Sequence, residues 1–274
     1  MSRVLSIANC PVGRVCLLDK DRPTAPHAHL EPHAMVLIDG ASQRYRVGGS
    51  TVVLDRQHAV LVNSQELHAN EGEPLGPCTV LMLYLSPDWA AGRAPGTRLF
   101  DAPSVPVARD LYDTALRLSD AMQRSREIDD DEVQGLLAQL AQRLCDAGGL
   151  DAAEQPLQAK QNDFRIRRAI SLMHASIDEP LSVAEICGRV GLSRSRFFEL
   201  FAACTGLSPK HYANMLRLDV ATQRLVGAQD RIGDISHQCG FGAQSHFSKF
   251  FVEQQGFTPR EFRRAAAPQD AALR

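Results

Sequence analysis

The sequence predicts an α+β protein of two domains, a β-barrel followed by helices and then an all-α domain with two helix-turn-helix units. Short β-branched runs separated by turn residues fill positions 12 to 85, and apolar residues recur at helical spacing after about position 105. The third observation is a repeat. "SRFFELFAACTGLSPKHY" (195–212) returns loosely as "SHFSKFFVEQQGFTPREF" (245–262), fifty positions later.

In the first part, "HAMVLI", "QRYRV", "TVVL", "AVLV" and "TVLMLYL" are strand-like and evenly spaced, which favours a barrel or sandwich. Two helices follow, near 107–124 and 132–145. Their stripes, Leu111, Ala115, Leu118 and Met122, then Val133, Leu136, Leu137, Leu140 and Leu144, are wider than a small barrel needs. Such stripes can pack as a helical pair, so these helices are expected to join two chains. The Gly, Pro and small polar residues of 148–162 read as a linker. The expected division is 1–147 for the first domain, 163–266 for the second and 267–274 for a tail.

Beyond the linker, helices are expected near 163–177, 182–190, 194–205, 208–226, 232–239, 243–255 and 258–264. Ser182 with Glu185 and Thr258 with Glu261 have the spacing of capping boxes. Pro209 and Pro259 suit a first helical position, where the missing N–H costs nothing. Phe197, Phe201, Phe247, Phe250 and Phe251 belong in cores.

The repeat has a second shared part upstream. "EICGRVGLS" (185–193) parallels "DISHQCGFG" (234–242), so each unit is a helix, a turn opened by Gly191 or Gly240, and a second helix. The helix from Ser208 spans about 27 Å at 1.5 Å per residue. With packing width added, it could hold two recognition helices about 34 Å apart, one turn of B-DNA. One chain then reads what two usually read.

Charge divides the same way. Residues 164–264 carry 14 Lys/Arg against 9 Asp/Glu, and residues 1–163 carry 15 against 22. Such an asymmetry suits different partners for the two parts, or charges that merely decorate a surface. The seven cysteines are scattered and form no CxxC pair, as expected of reduced cytosolic thiols. No signal peptide or membrane span is expected, which points to a cytoplasmic protein.

Residues 163–264, with the signature "ISHQCGFGAQSHFSKFFVEQQGFTPREFRR" (235–264), resemble the DNA-binding domain of AraC/XylS transcriptional regulators. The first part is similar, more weakly, to the cupin-like sensing and dimerisation domain of many members. The resemblance implies a dimeric regulator, mostly an activator, with duplex DNA, a small effector and RNA polymerase as partners. It also implies that Arg194, Ser195, Arg196, Phe198 and Glu199 of the first recognition helix face the groove. Gln244, Ser245, His246, Ser248 and Lys249 do so in the second. Arg suits guanine and Gln suits adenine. Glu199 suits cytosine or orients Arg196, and Phe198 suits a thymine methyl or the core. Lys210, Arg217, Arg224 and Arg260 are phosphate candidates, as are the amides opening the helices at 208 and 258.

Five of the nine histidines lie between 27 and 68. His27, His29, His33 and His68 resemble a cupin metal motif, with His33 where Glu is usual and Asn63 replacing a common Pro. Three roles stay open: ligands of one divalent metal ion, lining of an organic-effector pocket, and structure alone. His27 and His29 are expected to alternate on one strand. The rival reading is a metal-dependent cupin enzyme, or a metal-sensing regulator, with an accessory DNA-binding domain. A self-methylating repair sensor lacks the cysteine cluster it would need, and no catalytic triad or cofactor fingerprint is present, so no catalytic residue is assigned.

Overall fold

The computed structural model describes the chain except residues 1, 22, 25, 30, 73–75, 92–97, 125–129, 149–162, 228–229 and 267–274. The tail and the proposed linker lie outside the described residues, except Gly148, which ends a helix and not a linker. Among the described residues nine strands come first: β1 (Arg3–Cys10), β2 (Gly13–Lys20), β3 (His33–Gly40), β4 (Gln43–Val47), β5 (Ser50–Leu54), β6 (His58–Val62), β7 (His68–Asn70), β8 (Cys78–Leu85) and β9 (Ser104–Pro106). A short helix, α1 (Pro87–Ala91), follows β8. A six-stranded sheet has the order β1-β2-β8-β3-β6-β9 and a three-stranded sheet the order β5-β4-β7, with antiparallel pairing throughout.

The large sheet is buried on both faces, which is why its strands read as nearly continuous apolar runs. Alternate residues Cys16, Leu18, Met35, Leu37, Val80 and Met82 pack inward with Tyr45, Val47 and Leu54 of the small sheet. Their neighbours Val15, Leu17, Ala34, Val36, Leu81 and Leu83 pack outward against two long helices. β1 was not expected from the sequence. A bulge between Val4 and Ser6 shifts its register, so Val4 and Ile7 face the same interior and the period of two is lost.

The outer helices are α2 (Arg109–Arg124) and α3 (Asp130–Gly148). Their stripes are fully used within the chain. Leu111, Leu118, Val133, Leu137, Leu140 and Leu144 are buried against the outer face of the sheet and one another. The stripe residues expected to join two chains are thus buried within one chain, against the sheet.

The C-terminal region comprises α4 (Phe164–Ala175), α5 (Val183–Val190), α6 (Arg194–Thr205), α7 (Pro209–Gly227), α8 (Ile232–Gln238), α9 (Gln244–Gln255) and α10 (Pro259–Ala266). The start signals operate as the sequence suggests. Ser182 and Glu185 satisfy each other's amides, as do Thr258 and Glu261. Gly191 and Gly240 open the two turns at φ 69° and 73°. At Gly240 a side chain would also meet the Ile177 carbonyl oxygen at 2.5 Å, so glycine is required there twice over.

Each unit buries two of its three recognition-helix phenylalanines, Phe197 and Phe201, then Phe247 and Phe251, while Phe250 is half-buried against the second core. Full burial of such a ring contributes about 1.5–3 kcal/mol. The joining helix α7 serves both: Tyr212, Met215 and Leu216 pack in the first core, and Leu218, Ala221 and Leu225 in the second. The second core is continuous with the barrel interior, and α10 packs on β1. The first core takes in Ala28 from the barrel side.

Candidate nucleic-acid interface and sensor pocket

The two buried phenylalanines of each recognition helix turn its opposite face outward. On α6, Arg194, Ser195, Arg196, Phe198 and Glu199 are exposed. On α9, Gln244, Ser245, His246 and Lys249 are exposed and Ser248 is half-buried. Arg196 pairs with Glu199 at 2.9 Å, one of the two roles open to that glutamate. The Arg194 guanidinium lies 5.8 Å from the centre of the Phe198 ring, so Phe198 sits on the surface and not in the core.

Lys210 and Arg260 are exposed in the first turns of α7 and α10. Arg217 is half-buried, 5.4 Å over the Phe241 ring, where burial lowers its pKa, and Arg224 donates to Gln238 at 2.6 Å. The helix-opening amides are less available than the sequence suggests. Ser208 accepts from the His211 amide, and the Glu261 carboxylate accepts from the Thr258 amide. A carboxylate there repels phosphate.

The four barrel histidines come together. Ring centres of His27 and His68 are 4.3 Å apart, and those of His33 and His68 4.7 Å. His29 lies 4.8 Å from His27, 5.0 Å from His33 and 5.4 Å from His68. All four are buried. His33 opens β3 and His68 opens β7, but His27 and His29 do not share a regular strand. His27 forms an isolated antiparallel bridge with His68, their amides and carbonyls bonding at 2.9 and 3.0 Å.

Burial, reinforced by neighbouring imidazoles, lowers the pKa of His29, His68 and His33, the last to about 3. These rings are therefore neutral near pH 7. Asn63, just after β6, has its amide fully engaged. Its Oδ1 accepts from the Leu99 and Phe100 amides, and its Nδ2 donates to the Phe100 carbonyl and to Glu66. That is a reason for asparagine at this position.

Beside the histidines lies a cavity of about 20 Å³. Lys20, His27, Tyr45 and His68 line it from the barrel, and Gln254 and Gln255, at the end of α9, line it from the second helix-turn-helix unit. Lys20 Nζ donates to Thr24 Oγ1 at 2.9 Å and to the Tyr45 hydroxyl at 3.2 Å. A second buried polar group joins the barrel to the helices. Arg14 pairs with Glu31 at 2.9 Å, lies 4.6 Å over the Tyr84 ring, and acts electrostatically on Asp219 of α7.

The sequence reading missed Lys20, Tyr45, Arg14 and Asp219. A signal existed for two of them. Arg14, Cys16, Leu18 and Lys20 alternate along β2, so a cation ends each side of an otherwise apolar inward row. Gln254, Gln255 and Asp219 carried no such signal, since they reach the barrel only through docking of the helices.

A barrel joined to a pair of in-register helix-turn-helix units, the second of which borders its cavity, defines a class: a ligand-binding domain joined to a double helix-turn-helix domain. The model of the AraC-like ligand binding domain matches residues 15–175, and a helix-turn-helix domain model matches residues 186–265. This chain belongs to the AraC family. It is similar to the transcriptional activator RhaR of Yersinia pseudotuberculosis, 34% identical over 94 residues, which are 34% of this chain and 32% of that one. The activator RhaS of an Enterobacter species is 31% identical over 114 residues, 42% of this chain and 40% of that one. The matched regions thus span about a third to two fifths of these relatives. Over nearly the whole length, an apo variant of ToxT from Vibrio cholerae shares the fold, with TM-score 0.59, 12% identity and coverage of 94% and 99%. Among the described residues, no helix is long and apolar enough to cross a membrane.

Proposed function

We propose that this chain is a cytoplasmic, sequence-specific transcriptional regulator, an activator, that reads duplex DNA with residues 163–266 and senses a small effector with residues 1–147. Residues 148–162 act as the linker. The observation that carries the reading is the pair of helix-turn-helix units on one 19-residue helix, each with its polar recognition face outward. At 1.5 Å per residue α7 is about 28 Å long, which suits recognition helices one turn of B-DNA apart.

In this reading Arg194, Ser195, Arg196 and Glu199 contact one major groove, and Gln244, Ser245, His246, Ser248 and Lys249 contact the next. Lys210 and Arg260 hold phosphates. Arg217 and Arg224, already engaged with Phe241 and Gln238, contribute less. His27, His29, His33 and His68 form the floor of the effector site, where the nearness of Gln254 and Gln255 gives a bound effector a route to the second recognition helix. Contact with RNA polymerase and pairing of two chains enter on family membership alone, since the stripes of α2 and α3 are consumed internally. The RhaR and RhaS activators favour activation as the sign.

Selection from a random duplex pool tests the reading. One bipartite sequence is expected to be enriched. On it, Arg196→Ala should weaken binding by about 1–3 kcal/mol and relax discrimination at one position of one half-site, and Lys249→Ala should act in the other. Uniform loss on all duplexes would make Arg196 a phosphate contact, and absence of any enriched sequence would contradict sequence-specific recognition.

A further inference from the structure

The four barrel histidines carry chemistry that effector sensing alone does not explain. His33 Nδ1 lies 3.4 Å from the Glu31 carbonyl oxygen, and His68 Nδ1 lies 3.0 Å from that of Glu66. A carbonyl can only accept, so each Nδ1 carries the proton and each Nε2 presents a lone pair. The Nε2 atoms of His29, His33 and His68 are buried and have no hydrogen-bond partner. Leaving one buried polar atom unpaired costs about 1–3 kcal/mol. Three within one cluster of rings call for a common partner, and one cation can accept a lone pair from each.

We propose that His27, His29, His33 and His68 bind a single divalent transition-metal ion, of the zinc, cobalt, nickel or copper class, at the floor of the sensing pocket. The ring spacing fits one ion. With nitrogens about 2.0–2.1 Å from a tetrahedral metal, imidazole centres fall about 5 Å from one another. The five separations recorded here run from 4.3 to 5.4 Å. The ligating nitrogens of His27, His29 and His68 already lie within 4.8 Å of one another, and small side-chain rotations close the remainder. An all-imidazole set selects these metals over magnesium or calcium, which prefer oxygen. The Nδ1–carbonyl bonds of His33 and His68 are the outer contacts that orient metal-binding imidazoles.

Size points the same way. The cavity of about 20 Å³ that His27 and His68 line has room for roughly one water or ion. The regulatory meaning of the ion rests on the sensor reading above, although the site itself does not. Ala28, between two ligands, belongs to the same buried cluster as the first helix-turn-helix core. An ion that fixes residues 27–29 thereby fixes the docking of that core.

The test uses the full chain purified without an affinity tag, stripped by a chelator, then titrated with Co²⁺ alone and with Zn²⁺ alone. Co²⁺ should develop visible d–d absorption that saturates at one equivalent per chain and is displaced by Zn²⁺. His29→Gln and His68→Gln should each weaken Co²⁺ binding at least about 100-fold, while His58→Gln leaves it unchanged. Saturation with no absorption, or Gln variants that bind as the parent does, would overturn the site. Should a variant misfold by near-UV circular dichroism, X-ray absorption of the Zn²⁺-loaded parent decides: three or four imidazoles uphold the site and fewer than two overturn it, as does a count of two. DNA affinity of the same samples separates the two readings. One equivalent of Co²⁺ with unchanged DNA affinity upholds the site and removes its sensing role. A DNA response to an organic inducer without metal uptake overturns the site and leaves the sensor reading intact.

Discussion

Asp219 is the residue where the two halves of the chain meet electrostatically. It lies on α7, faces Glu31 and Arg14 of the barrel, and accepts from Gln223 at 3.1 Å. Burial, with Glu31 adding to it, raises its pKa to about 6, and Arg14 only partly offsets this. A carboxyl raised above its unfolded value near 3.9 gives its full contribution below about pH 4 and loses it as pH rises through about 6. Asp219→Asn should therefore raise the melting temperature at pH 7 to 8, by a gain on the order of 1–3 kcal/mol, and the gain should vanish below about pH 4. An equal gain at every pH would contradict this origin. The four histidines were legible as a group, because their spacing matches a known motif. Asp219 was not, because only docking places it against Glu31.

At the scale of elements, α2 and α3 show how far pattern reaches. Their existence and facing stripes were legible from helical spacing alone. What the stripes cover was not, since a sheet face and a second chain demand the same residues. Leu137 and Leu144 are each 1% exposed, within the core shared with the sheet. Changing both to Glu buries two unpaired charges and should cost more than about 5 kcal/mol, comparable with the stability of a domain. Near-UV circular dichroism and sedimentation should show an unfolded or aggregated chain. A folded monomer would return these helices to a dimer interface. The C-terminal helices were legible to within about three residues, because Ser182, Pro209, Gly191 and Gly240 mark their ends by local chemistry. β1 was hidden by its bulge at Val4–Ser6, which gives a strand the spacing of something else.

At the scale of the molecule, the second helix-turn-helix unit shares its core with the barrel, and the first holds Ala28 from the same barrel. The sheets and the two helix-turn-helix units are thus packed as one body, a relation that no stretch of sequence displays. The double recognition surface was legible, because the repeat at 195–212 and 245–262 states it directly. Its central claim is that one chain occupies two successive major grooves. Hydroxyl-radical footprinting of the full-length chain on its selected duplex tests this most directly. The account predicts two protected segments about one helical turn apart on one face, with Arg196→Ala thinning protection in one and Lys249→Ala in the other. Protection confined to a single groove, or both variants thinning the same segment, would contradict it.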